Sequence, residues 1–260
     1  MTALSRGDRK PMIETGFKSN KGIKRKNNED ACFVLPEEQV YVIADGVGGN
    51  NAGELASRAA VSSVVKYVKE KPIAKADSDK ALNKYFKKCI DRANKKIIEM
   101  ASQEPEREGM ATTLVVCHIR GSKAYFVNVG DSRAYINRQG KIFQVTEDHT
   151  YINSLLKLGV ITPEEAKDHK QGHMITRALG AEDETEADFY ETDIEDNDVI
   201  VLCTDGLYGE MDDERISRLI SENEKMTDLA NKMIIEANRL GGNDNITVVC
   251  LKYVKGGKDE

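Results

Sequence analysis

The chain has 260 residues, 40% of them hydrophobic and 32% charged, with 38 Lys and Arg against 44 Asp and Glu. That length can bury one large core or two small ones, and a net charge of −6 gives no electrostatic reason to invoke nucleic acid or an anionic membrane surface. No window approaches the roughly 18 consecutive apolar residues of a spanning helix, so membrane insertion is not expected and the chain reads as cytoplasmic.

Residues 1–11 are polar and basic, lack the apolar centre of a signal peptide, and read as a flexible lead-in or a cloning remnant. "ACFVLPEEQVYVIAD" holds two strand-like runs around a Pro36-Glu37-Glu38 turn, which predicts a hairpin. After the glycines that follow, Leu55, Ala56, Ala59, Ala60, Val64 and Val68 recur at helical spacing; Leu82, Tyr85, Phe86, Cys89, Ile90, Ala93, Ile97 and Met100 mark a second helix. The many lysines there read as a solvated face. Residues 111–145 predict an antiparallel meander with turns at Gly121-Ser122, Gly130-Asp131-Ser132 and Gln139-Gly140. Residues 146–180 become polar and helical, and "TPEE" supplies an N-cap, a first-turn proline and a capping-box glutamate. This stretch is predicted to be an appended flap.

A buried run at 199–203, helices through "DDERISRLISEN" and "DLANKMIIEANRL", and a last strand "NITVVCLKY" complete a single domain over 12–254, with 255–260 a flexible tail. Two groups of strands, each followed by long helices, predict an α+β fold: two antiparallel sheets flanked by helices in a four-layer α-β-β-α sandwich. Cys32, Cys89, Cys117, Cys203 and Cys250 are scattered through apolar segments with no C-x-x-C pair, and read as buried, reduced thiols.

Three aspartates interrupt this pattern. "VYVIADGVGGN" and "DVIVLCTDGLYG" are apolar runs that end on Asp45 and Asp205, and "GGNDNITVV" places Asp244 just before the last strand. Asp-Gly is a common turn dipeptide, and each site taken alone reads as a plain loop. Three carboxylates at strand ends that can converge would repel one another, and the usual remedy is a divalent cation. An all-oxygen set without Cys or His favours Mg²⁺ or Mn²⁺ over zinc, and the Gly46 carbonyl is placed to join it. The glycine run is no phosphate-binding P-loop, because it lacks Gly-Lys-Ser/Thr; nor is it a G-x-G-x-x-G fingerprint, because Asn51 stands at the last glycine position.

Seven motifs in order, "KGIKRKNNEDA", "ADGVGGNNAGE", "GMATTL", "NVGDSRAY", "ITRALG", "CTDGLYG" and "GGNDNITVV", span nearly the whole chain from 15 to 252. They resemble those of the metal-dependent Ser/Thr protein phosphatases of the type 2C (PPM) family, in particular the stand-alone bacterial members that oppose Hanks-type kinases. The resemblance implies that Asp45 bridges two metal ions and that Asp205 and Asp244 complete one site. The Gly46 carbonyl, with water-mediated contacts from Glu29 and Asp30, would serve the other. It further implies that Arg25 grips the substrate phosphate, a role its permanently charged planar fork suits, and that Asp131 joins Asp205 at a third, weaker ion.

The sequence departs from that pattern in places. Asn20 stands where bacterial members commonly have Asp, and Val47 where animal enzymes tend to carry a histidine proposed as general acid, so another group must protonate the leaving hydroxyl. Asn50 and Ala111 replace a His and a Gly, with geometric consequences only expected. His118, His149, His169 and His173 lie outside the acidic motifs and read as structural or solvated. The expected activity is Mg²⁺- or Mn²⁺-dependent hydrolysis of phosphoserine and phosphothreonine by a water bridging two ions. The expected partners are phosphorylated proteins, a Ser/Thr kinase among them, and the chain is expected to be a monomer. The alternative is a non-catalytic relative that binds phosphoproteins, which loss of a metal aspartate would favour; Asp45, Asp205 and Asp244 are all present. A nuclease would need a basic groove, for which there is no signature.

Overall fold

A computed structural model describes residues 11–48, 52–167, 169 and 174–256. Asn50, Asn51, His173 and the lead-in 1–10 lie outside the described residues. The chain begins with β1 (Met12–Asn20), then the expected hairpin of β2 (Ala31–Leu35) and β3 (Val40–Ala44), a two-residue strand β4 (Gly46–Val47), and the helices α1 (Ala52–Glu70) and α2 (Asp79–Ala101). There follow β5 (Ala111–Thr112), β6 (Leu114–Arg120), β7 (Lys123–Val129), β8 (Arg133–Arg138) and β9 (Lys141–Gln144). The flap holds α3 (Tyr151–Lys157) and α4 (Pro163–Lys167). The last third contains β10 (Asp188–Asp193), β11 (Val199–Cys203), α5 (Asp205–Tyr208), α6 (Asp213–Glu222), α7 (Met226–Leu240) and β12 (Ile246–Val254).

Two five-stranded antiparallel sheets form the centre, one in the order β1-β12-β11-β8-β9 and the other β10-β7-β6-β3-β2. Helices α1 and α2 cover the outer face of the second sheet, and α6 and α7 that of the first, giving the expected four layers. The strands alternate between cores with period two. Val40, Val42 and Ala44 face α1 and α2, while Tyr41 and Ile43 face the other sheet. On the first sheet Val201 and Cys203 meet the helices, and Ile200 and Leu202 pack between the sheets. Both faces being buried explains why these antiparallel strands read as continuous apolar runs rather than as alternating ones. Each large side chain so buried contributes roughly 1.5–3 kcal/mol.

One expectation is corrected. Residues 111–145 do not form a single meander: β6 and β7 pair in the second sheet, β8 and β9 in the first, and Gly130, Asp131 and Ser132 carry the chain from one sheet to the other. Turn residues look alike locally whether the next strand folds back or departs, so sequence alone cannot separate the cases. Besides the two-residue β4, two strands had no sequence expectation. In β1 the apolar Met12 and Phe17 are exposed, and β10 is an edge strand of the polar run "DFYETD". Neither shows a burial pattern that alternation would reveal.

The flap's capping box forms as expected, with Glu165 N–H donating to Thr162 Oγ1 at 3.3 Å and Thr162 N–H to Glu165 Oε2 at 2.8 Å. All five thiols are free, and burial pushes Cys32 up to about 11 and Cys89 to about 12. No helix among the described residues is long and apolar enough to cross a membrane.

Candidate metal centre and phosphate site

The ends of β3, β11 and the approach to β12 open on one cleft of ≈ 730 Å³, where Asp45, Asp205, Asp244 and Asp131 all reach the lining. Asp45 follows five fully buried residues, and its backbone is already committed: its carbonyl accepts the Thr113 N–H at 2.9 Å and the Thr112 hydroxyl at 2.8 Å, and its N–H donates to Thr113 Oγ1 at 2.9 Å. Only its carboxylate remains for the cleft. A Cβ on Gly46 would stand 2.1 Å from the Gly53 carbonyl and 2.6 Å from that of Glu29, so glycine alone lets the start of α1 and the Glu29 segment close on this strand end. Gly206 has the same function on the other side, where a Cβ would meet the Asn245 carbonyl at 2.0 Å. That contact brings Asp205, at the first position of α5, beside Asp244.

Asn245 assembles the loop that carries Arg25. Its Oδ1 accepts the Glu29 N–H at 2.8 Å, and its Nδ2 donates to the carbonyls of Lys21 and Asn27, each at 2.9 Å. Arg25 thereby reaches Asp244, with Nη2 donating to Oδ2 at 2.6 Å, while its side chain stays 55% exposed. It is the one cationic side chain lining the cleft among the described residues. Glu29 lies half-buried on the lining. Asp30 is buried below, where Oδ2 accepts the Thr204 hydroxyl at 2.9 Å and Oδ1 has no hydrogen-bond partner. Asn20 acts as a turn residue, its Oδ1 accepting the Gly22 N–H at 2.9 Å.

The charges are unbalanced. Burial, and then Asp30, Asp205, Asp131 and Asp244 in turn, push the Asp45 carboxyl well above the usual carboxylate range. Asp131 is pushed up to about 7 by burial and then by Asp205 and Asp148, and Asp30 to about 7 by burial with Asp205 and Asp244 adding to it. Asp131 is no hairpin residue: it sits 7% exposed in the crossing between sheets, and its carbonyl accepts the Tyr208 hydroxyl at 3.0 Å. Arg133 lies 3.6 Å over the Tyr208 ring and pairs with Asp148 at 2.6 Å, so an ion pair backs this corner.

Among the described residues no three His, Cys, Asp or Glu side chains already form a cluster tight enough to hold a metal ion. The donor set nevertheless suits a hard cation. It is all oxygen, its acids are pushed upward by one another, and Asp30 keeps a buried oxygen without a partner. Val47 is 44% exposed at the cleft, paired with the buried Ala111. His118 is a core residue, His149 is buried at the root of the flap, and His169 packs near Tyr151; none lines the cleft. Thr113, Tyr208 and Asn245 had no individual sequence expectation. Only their places inside the motifs "GMATTL", "CTDGLYG" and "GGNDNITVV" could have drawn attention to them.

An acid-lined cleft at the junction of two helix-covered sheets, with Arg25 at its rim, defines a metal-assisted hydrolase of phosphate esters. The family model for protein phosphatase 2C matches residues 22–240. The chain is 32% identical over 239 residues to serine/threonine phosphatase stp of Listeria monocytogenes, covering 91% of this chain and 94% of that one. It is 34% identical over 240 residues to protein phosphatase PhpP of Streptococcus pneumoniae, covering 91% and 96%. A crystal structure of the catalytic domain of serine/threonine protein phosphatase PstP, in complex with two manganese ions, matches with a TM-score of 0.81 at 32% identity over 93% of this chain and 98% of that one. The chain belongs to the protein phosphatase 2C family and is a metal-dependent serine/threonine protein phosphatase of the bacterial type.

Proposed function

We propose that this cleft hydrolyses phosphoserine and phosphothreonine in proteins, with Asp45 shared between two Mg²⁺ or Mn²⁺ ions. Asp205 and Asp244 would hold one ion with Asp45. The Gly46 carbonyl, with Glu29 and Asp30 through water, would hold the other. The manganese pair in the PstP relative supports this stoichiometry. Ions held by these residues would supply Lewis-acid chemistry, activating a water for attack and neutralising charge on the phosphoryl oxygens.

The protein's own groups do the rest. Arg25, exposed at the rim, can exchange its Asp244 oxygen for two phosphoryl oxygens and orient the ester for in-line attack. No side-chain nucleophile is needed, and the described thiols are buried or half-buried away from the cleft. Val47 has no proton to give the leaving hydroxyl. Asp131, pushed up to about 7, stands in the same cleft and would hold, with Asp205, a third and weaker ion. The substrates are phosphoproteins, and a Hanks-type Ser/Thr kinase fits as the opposing partner.

The observation that carries this reading is the convergence of three strand-end aspartates on one cleft whose only lining cation among the described residues is Arg25. Asp45→Asn, Asp205→Asn and Asp244→Asn should each abolish metal-dependent turnover and weaken Mn²⁺ binding in calorimetry, with the circular dichroism of the fold retained. Near-parental activity at low metal in any of the three would remove that residue from the ligand set.

A further inference from the structure

The network behind the cleft converges on a histidine that the sequence marks only as structural. His149 sits between β9 and α3, at the root of the flap, 7% exposed. Its backbone N–H donates to the Gly130 carbonyl at 3.0 Å, and the Gly130 N–H donates back to His149 Nδ1 at 3.1 Å. Gly130 immediately precedes Asp131 in the crossing between the sheets. A ring nitrogen that receives a proton cannot also carry one, so the imidazole proton lies on Nε2, which donates to Asp188 Oδ2 at 3.1 Å. Arg177 Nη1 donates to Asp188 Oδ1 at 2.9 Å and lies farther, 3.3 Å, from Nε2, so the carboxylate takes both protons. Burial holds the His149 pKa below its ordinary value, with Asp188 opposing and Arg177 reinforcing.

The same residue fastens the flap. Its carbonyl accepts the Thr176 N–H at 2.8 Å, beside Ile175, which lines the catalytic cleft. One buried residue therefore ties together the crossing at 130–132, the returning arm of the flap at 175–177 and β10 at Asp188. Asn128 Nδ2 strengthens the join by donating to the carbonyls of Gly130, at 3.1 Å, and Glu147, at 2.9 Å.

We propose that His149, as its Nε2–H tautomer, is a positioning residue that sets the place of Asp131 in the site and couples it to the seating of the flap. This rests on the reading of Asp131 as a site carboxylate. The latch itself can be observed without metal. In the metal-free full chain, ring-nitrogen NMR should show His149 neutral with its proton on Nε2; a proton on Nδ1 would overturn the proposal, because the Gly130 N–H would then face a donor. His149→Leu should speed amide exchange at residues 130–132 by about tenfold or more, as expected for loss of a buried hydrogen bond. In the metal-loaded enzyme it should lower kcat on a phosphothreonine peptide with KM changed less than about twofold. His149→Asn, whose Oδ1 can accept the Gly130 proton, should restore most of both. Equal impairment of the two variants, or parental exchange in His149→Leu, would refute the latch. If His149→Leu does not fold, the ring spectrum of the parent and the exchange of His149→Asn decide. Parental kcat in Asp131→Asn would refute the carboxylate reading alone, since accelerated exchange in His149→Leu would still uphold the latch.

Discussion

Arg25 and Asp244 hold each other at 2.6 Å in a cleft that otherwise gathers negative charge, and both are partly exposed, which keeps the pair exchangeable. Arg25→Ala should lower kcat/KM on a phosphopeptide by about 1.5–3 kcal/mol, the range for a hydrogen bond to a charged group. Unchanged kcat/KM would take Arg25 out of the site. Asn245 is the less obvious residue. Its side chain makes three hydrogen bonds that pin residues 21, 27 and 29 beside Asp244, so Asn245→Ala should destabilise the chain by about 1–3 kcal/mol in urea and loosen the Arg25 loop. A midpoint within about 0.3 kcal/mol of the parent would mean that the loop holds without it. That Asp45, Asp205 and Asp244 meet in one cleft was legible in the sequence, because a charge at the end of a buried strand demands an explanation. Asn245, Thr113 and Tyr208 were not, because a side chain that supports a site by bonding to backbone has no distinctive local spacing.

At the scale of elements, legibility followed burial. β3 and β11 lie between two apolar layers and are apolar throughout, β12 is apolar but for Thr247 and Lys252, and α1, α2, α6 and α7 each show a stripe; all were readable. β1 and β10 are sheet edges with little to bury on one side, and nothing periodic announces them. The crossing at 130–132 was misread for a different reason: its Gly-Asp-Ser chemistry fits a hairpin, and only the pairing of β8 with β11 shows that the chain has changed sheets. That change makes Asp131 a member of the cleft. The flap is polar, inserted between β9 and β10, and joined to the body through Thr150–Ile175 and Thr112–Leu179 bridges. Removing the stretch 161–169, which carries α4, should reduce turnover of phosphoproteins while leaving p-nitrophenyl phosphate within about twofold, because on the proposed mechanism a small aryl ester needs only the metal site and Arg25. Equal losses on both substrates would point to damage to the fold.

Over the whole molecule the acidic cleft links folding to pH and metal. Asp131 has a carboxyl raised from 3.8 to about 7 in the folded chain, so the native state holds a proton there that the unfolded chain releases. The sign follows: this group favours the metal-free fold below about pH 4, and the advantage is lost as pH rises through about 7. Thermal melts of the metal-free protein should therefore fall across that window, with Asp131→Asn flattening the decline; a slope unchanged by the substitution would assign it to other carboxyls. Cations should raise the melting point most near and above neutrality, where the carboxylates are ionised, and their binding should release protons. Two sheets, four layers and seven motifs all serve to bring those carboxylates together, so the central claim is one of metal-dependent phosphate release. The most direct measurement is phosphate liberated from a phosphothreonine peptide by the purified chain with Mn²⁺, with Mg²⁺, and with excess EDTA. Turnover with either ion that disappears in EDTA and returns when metal is restored is the expected result; undiminished turnover in EDTA, or none with either metal in the folded protein, would contradict it.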